Sequence, residues 1–93
     1  MLTLNQFHEG RVQSVGFERN GRRIHVGAML VGVYRFELRS AERMMVVSGE
    51  LQARLSLDAD FVRYPAGTSF ELPAGSACEL RADMPSAYVC ELL

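Results

Sequence analysis

Histidine and cysteine, the side chains that most often bind transition metals or act as nucleophiles, are scarce in this sequence. The 93 residues contain two histidines, His8 and His25, and two cysteines, Cys78 and Cys90, which lack the CxxC spacing of many metal and redox sites. A metal site built from three imidazoles is therefore excluded. His25 lies beside Val26 in an alternating stretch, where a histidine is more often a surface or half-buried side chain than a ligand. Carboxylates, arginines and aromatic rings remain as the groups that can support chemistry.

The charge balance excludes several classes of function. Ten basic residues, all of them arginines, oppose eleven acidic ones to give a net charge of −1, and the longest basic run is the pair Arg22 and Arg23. This balance predicts no binding to polymeric nucleic acid.

The N-terminus lacks the charged region of a signal peptide, and no apolar stretch approaches the roughly 18 residues of a membrane span. We therefore expect a cytoplasmic protein with reduced cysteines and no membrane association.

The elements that position any functional site are short segments in which apolar and polar residues alternate, separated by turn residues. Their spacing predicts an all-β fold in one domain, residues 1–93, with about eight strands that close into a barrel or a two-sheet roll. The stretch "RVQSVGFERNGRRIHVG" predicts two strands joined at Asn20-Gly21, since both residues tolerate positive φ. The stretch "LQARLSL" predicts a strand with one buried face, formed by Leu51, Ala53, Leu55 and Leu57.

The stretch "YPAGTSFELPAG", residues 64–75, resembles the second sequence motif of the cupin β-barrels. It has a glycine, five residues, a proline, one residue and a second glycine. Metal-binding cupins continue with a histidine and an asparagine, whereas this chain has Cys78 and Ala82 at those positions. The resemblance implies a cupin barrel, of the jelly-roll type, that lacks a metal ligand here, and we expect Cys78 to point inward as a small apolar side chain.

The end of the first cupin motif, a glutamate and a glycine separated by six residues, is matched by Glu42 and Gly49 in "ERMMVVSG". Upstream, where metal-binding cupins place two histidines, the aligned pair is Tyr34 and Phe36, or Arg35 and Glu37 if the loop differs in length. Neither pair restores a metal site. We therefore expect no metal and no organic cofactor.

With both motifs placed, the chain resembles the pyrimidine/purine nucleoside phosphorylase family of small metal-free cupins. This resemblance implies a homodimeric transferase that cleaves many nucleosides with inorganic phosphate as co-substrate, giving the free base and ribose 1-phosphate. The segments that carry it are "GRVQSVGFE" (10–18), "VGAML" (26–30), "YRF" (34–36), "ERMMVVSGEL" (42–51), "YPAGTSFELPA" (64–74) and "AYVC" (87–90).

Phosphorolysis of a nucleoside needs a carboxylate for the sugar, a cation for phosphate and rings for the base, and five residues are candidates. Glu42 is the catalytic candidate, because the cupin pattern points it into the barrel; its alternative is a structural ion pair. Arg23 is the candidate for phosphate, against a solvated strand position. Tyr34 and Phe36 could stack on the base or simply pack in the core. Ser48 could bind the substrate through its hydroxyl, or its role could be to stabilise a turn.

A second interpretation of the same pattern is that the protein is a binding protein and not an enzyme. A cupin that has lost its histidines could hold a small metabolite in the barrel without turnover. The two hypotheses differ in whether phosphate makes the protein release base from a nucleoside.

Dimerisation is also expected from the size of the chain, since a domain of this length buries only about 60–65% of the surface that its unfolded chain exposes.

Overall fold

Ten β-strands and no helix make up the fold in the computed structural model, which describes residues 1–93. The all-β prediction is confirmed, although the strands number ten rather than about eight. The strands are β1 (Thr3–Phe7), β2 (Val12–Arg19), β3 (Arg22–Met29), β4 (Gly32–Glu37), β5 (Glu42–Ser48), β6 (Glu50–Arg54), β7 (Val62–Pro65), β8 (Ser69–Leu72), β9 (Ala77–Ala82) and β10 (Ser86–Leu92).

The strands form two antiparallel sheets. The larger sheet has the order β1-β2-β3-β10-β5-β8 and the smaller has the order β4-β9-β6-β7. Strand β10 pairs with both β3 and β5, so the end of the chain lies in the middle of the larger sheet. Fifteen buried apolar side chains form one cluster, to which both sheets contribute, and Ile24 on β3 is buried outside that cluster.

The hairpin of β2 and β3 forms as the sequence predicts. Asn20 and Gly21 have φ angles of 53° and 77°, and Arg19 pairs with Arg22 across the turn. Two consecutive residues with positive φ give a turn whose twist matches that of the flanking strands. The turn therefore fixes the register of β3, the strand that carries Arg23 and His25.

Alternate side chains of the central strands point between the two sheets. Strand β3 directs Arg23, His25 and Met29 inward, while Arg22 and Val26 face the outside. The inward residues of the neighbouring strands are Val12, Ser14 and Gly16 on β2, Tyr88, Cys90 and Leu92 on β10, and Glu42, Met44 and Val46 on β5. Polar side chains from four strands are thus brought onto one inner surface.

One predicted strand is shorter than its sequence pattern indicates. Strand β6 ends at Arg54, and Leu55 and Leu57 are 48% and 63% exposed, so the prediction that they share a buried face is wrong. Gln52, on the face predicted to be polar and wet, is buried and hydrogen-bonds Arg81 and Asp83. The chain leaves the sheet after Arg54, whose guanidinium covers the ring of Phe61.

Both cysteines are buried free thiols, which agrees with the expectation that Cys78 points inward. The structure contains no helix of the length and hydrophobicity needed to cross a membrane.

Candidate active site

A cavity of about 240 Å³ opens between the sheets, at the end of the barrel where β5 begins and β10 ends. Its wall is mostly apolar, and the polar side chains in it are Ser14, His25, Glu37 and Glu42. The volume is close to the lower limit of small-molecule sites, roughly 300–1,000 Å³. The cavity therefore suits a small ligand held by a few polar groups.

Glu42 is the first residue of β5 and lies at the wall of this cavity. Its Oε1 accepts a hydrogen bond from the Cys90 thiol, with 2.8 Å between Sγ and Oε1. Its other oxygen, Oε2, forms no hydrogen bond within the chain and can accept one from a ligand. The sequence prediction that Glu42 faces the interior is confirmed, while its catalytic role stays a prediction.

The weakly acidic groups around Glu42 are held in their protonated forms. Burial raises the pKa of Cys90, and the hydrogen bond to the Glu42 carboxylate raises it further. Burial and the charge of Glu42 raise the pKa of Cys78 to about 11. Burial, with smaller contributions from Cys90 and Glu42, raises the pKa of Tyr88 to about 12. Near neutral pH these groups are uncharged, and Cys90 acts as a donor to the carboxylate.

His25 also lines the cavity, opposite Gly16 on β2 and Cys90 on β10. Burial of its ring lowers the pKa of His25 from the usual 6.5, the charge of Arg23 lowers it further, and the charge of Glu42 offsets part of this. The imidazole is therefore mainly neutral at neutral pH. The half-buried histidine that the sequence favoured is found, but it forms part of the cavity wall.

Arg23 is the next inward-facing residue of β3 from His25, toward the β2–β3 turn, and it does not itself line the cavity. It is half-buried and takes part in no ion pair, whereas the other half-buried arginines, Arg54 and Arg81, contact Glu79 and Asp83. Strand β10 separates β3 from β5, and strands lie about 4.8 Å apart, so the backbones at Arg23 and Glu42 are roughly 10 Å apart. A cation and a carboxylate thus flank the mouth of the barrel.

Phe36 is the one predicted aromatic residue that the structure places at the cavity. Its ring centroid is 6.2 Å from that of Phe7, a second wall residue, and the two rings meet edge to face. Tyr34 is buried in the core and does not line the cavity; its hydroxyl donates to the carbonyl of Leu30 at 2.8 Å. Its predicted contact with a substrate stays a prediction that this placement does not favour.

Ser48 lies at the opposite end of β5 from Glu42. The two residues are six steps apart along the strand, which corresponds to about 20 Å. Ser48 is exposed and does not line the cavity, so one small ligand does not reach both residues. The substrate-binding role predicted for Ser48 stays untested, and the structure does not bring it to the other candidates.

Sequence reasoning missed several contributors to the site, among them Phe7, Ser14, Gly16, Tyr88 and Cys90. The alternation in "AYVCEL" places Tyr88 and Cys90 on one face of a strand. It does not reveal that this face meets Glu42, because the residues joined by the Cys90–Glu42 hydrogen bond are 48 positions apart. The long-range register of β10 supplies that information.

Comparison with known proteins places the chain in a family. The family model described as pyrimidine/purine nucleoside phosphorylase matches residues 2–92. The chain belongs to this family. A relative from Anaeromyxobacter sp. (strain Fw109-5), named pyrimidine/purine nucleoside phosphorylase, is 54% identical over 93 residues, covering 100% of this chain and 89% of its own.

Solved structures confirm the barrel. A protein of unknown function from Vibrio parahaemolyticus matches with a TM-score of 0.95 and 38% identity, covering 100% of this chain and 99% of its own. A cupin superfamily protein from Desulfitobacterium hafniense matches with a TM-score of 0.75 and 12% identity, covering 96% and 83%. At that identity the second match shows the fold alone, and the fold is that of the cupins.

Proposed function

We propose that this family member is a broad-specificity nucleoside phosphorylase, a pentosyl-transferring enzyme that cleaves purine and pyrimidine nucleosides with inorganic phosphate to the free base and ribose 1-phosphate. The name shared by the family model and its relatives supports this reaction. The structural observation that carries it is the placement of Glu42, with one oxygen open to a ligand, across the barrel mouth from the unpaired guanidinium of Arg23.

The proposed reaction breaks the bond between the anomeric carbon and the base nitrogen. The electron pair stays with the base, a phosphate oxygen forms the new bond to carbon, and the proton of hydrogen phosphate ends on the base. Positive charge develops on the sugar meanwhile. The Glu42 carboxylate can accept hydrogen bonds from the ribose hydroxyls and stabilise that charge, and Arg23 can hold the phosphate.

The base would lie against the aromatic end of the cavity. Phe7 and Phe36 form this wall together with Leu38 and Leu72. A ring face offers stacking to every nucleobase and hydrogen bonds to none, so this wall agrees with a wide choice of base. In this proposal Tyr34 supports the wall from behind, through the ring of His8, whose centroid is 5.0 Å from that of Tyr34 and 5.2 Å from that of Phe36.

We propose that neither a metal nor an organic cofactor takes part. Phosphate is itself the nucleophile, and Arg23 and Glu42 supply the two charges that the transition state requires. The residues also do not assemble a metal-binding cluster, since no group of three or more His, Cys, Asp or Glu side chains could hold an ion. The two buried thiols suit a reducing compartment, so we place the enzyme in the cytoplasm.

The deciding experiment is incubation of the purified protein with uridine and inosine, with and without phosphate, followed by chromatographic separation of bases from nucleosides. Release of uracil and hypoxanthine only in the presence of phosphate is expected. The rival hypothesis, a cupin that binds a metabolite without turnover, requires that no base appear under either condition. Release that does not depend on phosphate would contradict both.

We also propose a homodimer that forms through the outer face of the larger sheet. Paired residues of five adjacent strands form a continuous outer apolar row: Leu4, Val15, Val26, Val89 and Met45. Leu4, Val26 and Met45 are 79%, 44% and 45% exposed. Beside this row, Arg22, Glu91, Arg43 and Glu71 alternate in sign and form ion pairs of 3.1–3.4 Å. A patch of this kind can pair with a second copy of itself about a two-fold axis.

A further inference from the structure

The inner surface of β3 presents two nitrogen-bearing side chains side by side. Arg23 and His25 are alternate residues of the strand and share its inward face. Neither takes part in an ion pair or a side-chain hydrogen bond within the chain, and His25 lines the cavity. Their N–H groups are therefore available to a ligand at the mouth of the barrel.

Gly16 on β2 lets these two side chains lie close against the sheet. A Cβ atom at this position would lie 2.9 Å from Nη2 of Arg23 and 2.9 Å from Nδ1 of His25. These two nitrogens are therefore at most 5.8 Å apart. Two donors at hydrogen-bond distance, about 2.7–3.0 Å, from oxygens of one anion span a gap of this size. The backbone of Gly16 does not itself require glycine, because its φ is not positive.

Two charged groups act on His25. Arg23 lies on β3 itself, where its backbone pairs with that of Glu18 on β2, and Glu42 on β5 acts from beyond β10. Cys90, the partner of His25 on β10, is protonated, since burial and Glu42 raise its pKa. A neutral imidazole in this setting can donate from one nitrogen and accept at the other. An oxyanion beside Arg23 would favour the doubly protonated, cationic ring.

We propose that Arg23 and His25 form one site for a tetrahedral oxyanion, in which the imidazole of His25 is a direct ligand of the anion. The identification of that anion as the phosphate consumed in phosphorolysis rests on the proposed function. The placement of the guanidinium and the imidazole side by side against Gly16 does not depend on the proposed function. Phosphate held there would lie across the barrel mouth from Glu42, the residue proposed to hold the sugar that phosphate attacks.

Titration of the two histidines by proton NMR tests the site without any need for turnover. Sulfate is the probe, because its charge is constant across the range in which histidine titrates, roughly pH 5 to 8. Binding to protonated His25 should raise the midpoint of its titration by about one pH unit, and sulfate should bind more tightly at the lower pH, since the two effects are reciprocal. Sodium chloride at equal ionic strength controls for screening.

His8 is the internal control, because it lies outside the cavity wall, and the variant His8→Gln assigns the two signals. An unchanged midpoint for His25 in high sulfate, or an equal movement of both histidines, would overturn the proposal. Arg23→Gln should reduce the effect of sulfate, while Arg22→Gln, which alters the outward neighbour paired with Glu91, should leave it intact. Gly16→Ala, whose added methyl group would displace the ends of both side chains, should abolish it. Thermal melting verifies that each variant is folded.

Kinetics separate this proposal from the proposed function. His25→Gln is expected to raise the KM for phosphate about tenfold while changing the KM for uridine little. Turnover in which this variant keeps the parent KM for phosphate would refute the His25 site and leave the function standing. A sulfate effect on His25 in a protein that cleaves no nucleoside would support the anion site and refute the function.

Discussion

At Glu42 the structure combines a carboxylate, a single thiol donor and an open face to the cavity. The thiol of Cys90 donates a hydrogen bond to Oε1 of Glu42. Burial and the nearby carboxylate raise the pKa of this thiol and so keep it protonated. A neutral donor stabilises the carboxylate without neutralising it, in contrast to the ion pair that the sequence left open as an alternative. The charge of Glu42 therefore remains available for the role that we propose, which is to stabilise the cation that develops on a bound sugar.

Substitution of Glu42 by glutamine preserves the shape of the side chain and removes the charge. A charge-assisted contact is worth about 1.5–3 kcal/mol, so Glu42→Gln should lower kcat/KM for uridine by about ten- to a hundred-fold. Glu79→Gln, on the outer face of β9 where it contacts Arg54, is the control and should keep the parent rate. Phosphorolysis assays at a temperature where both variants are folded give the comparison. A parent-like rate for Glu42→Gln would make this residue structural.

His25 should make stability depend on pH in a defined direction. Burial and Arg23 lower the pKa of His25 in the folded state, while the unfolded chain has the usual value near 6.5. Above that value the ring is neutral in both states and has no effect. As the pH falls below it, the unfolded state takes up the proton more readily, so the free energy of unfolding decreases.

The variant His25→Gln should therefore lose less stability than the parent when urea unfolding is compared at about pH 7 and pH 5. The change in the difference between the two pH values is the quantity to measure, because the substitution also alters packing at both. His8→Gln, in the exposed turn after β1, measures the contribution of the other histidine. An identical acid loss in His25→Gln and the parent would show that His25 is not the group responsible.

Among the elements, the β2–β3 hairpin is the best predicted from sequence, and its turn makes a separate prediction. At Gly21, with φ of 77°, an added Cβ would meet no atom within 4 Å, so any cost of Gly21→Ala comes from the backbone alone. A left-handed conformation costs a residue with a side chain roughly 1–2 kcal/mol. Urea unfolding should show a loss of that size, with little change in kcat for the folded protein. An unchanged stability would mean that the turn relaxes to another type.

Other elements were less predictable, for physical reasons that differ. Alternation located the buried face at Leu51 and Ala53, because sheet periodicity is local. It failed at Leu55 and Leu57, because β6 ends at Arg54, where the chain turns so that Phe61 packs under two guanidiniums. The alternation of apolar and polar residues carries no signal for this strand end, which involves Arg81 from another strand.

The same reasoning explains which site residues the sequence could supply. Glu42 and Phe36 followed from motif spacing and face the cavity as expected, whereas Ser48 shares a strand with Glu42 but lies at its far end. Cys90 and Gly16 were not predicted because their importance depends on which strands become neighbours. Strand β10 pairs with β3 on one side and with β5 on the other, and these two pairings bring His25, Cys90 and Glu42 together.

At the scale of the whole molecule, the larger sheet separates two surfaces. Its inner face carries Arg23, His25 and Glu42, and its outer face carries the outer apolar row. The two faces share strands but no side chains, because successive residues of a strand point to opposite sides. Substitutions in the outer apolar row, which test the proposed dimer, therefore leave the side chains of the inner face unchanged.

Val26 lies near the middle of the outer apolar row and is 44% exposed. If two copies pack these faces about a two-fold axis, Val26→Glu introduces two like charges into one desolvated interface, and an unpaired charge there is strongly unfavourable. We expect the parent to be a dimer by light scattering at micromolar concentration and Val26→Glu to be a folded monomer. Val62→Glu is the matched control, since Val62 is 52% exposed on the smaller sheet and should leave the dimer intact. A monomeric parent would refute dimerisation itself, and a dimeric Val26→Glu would move the interface to another surface.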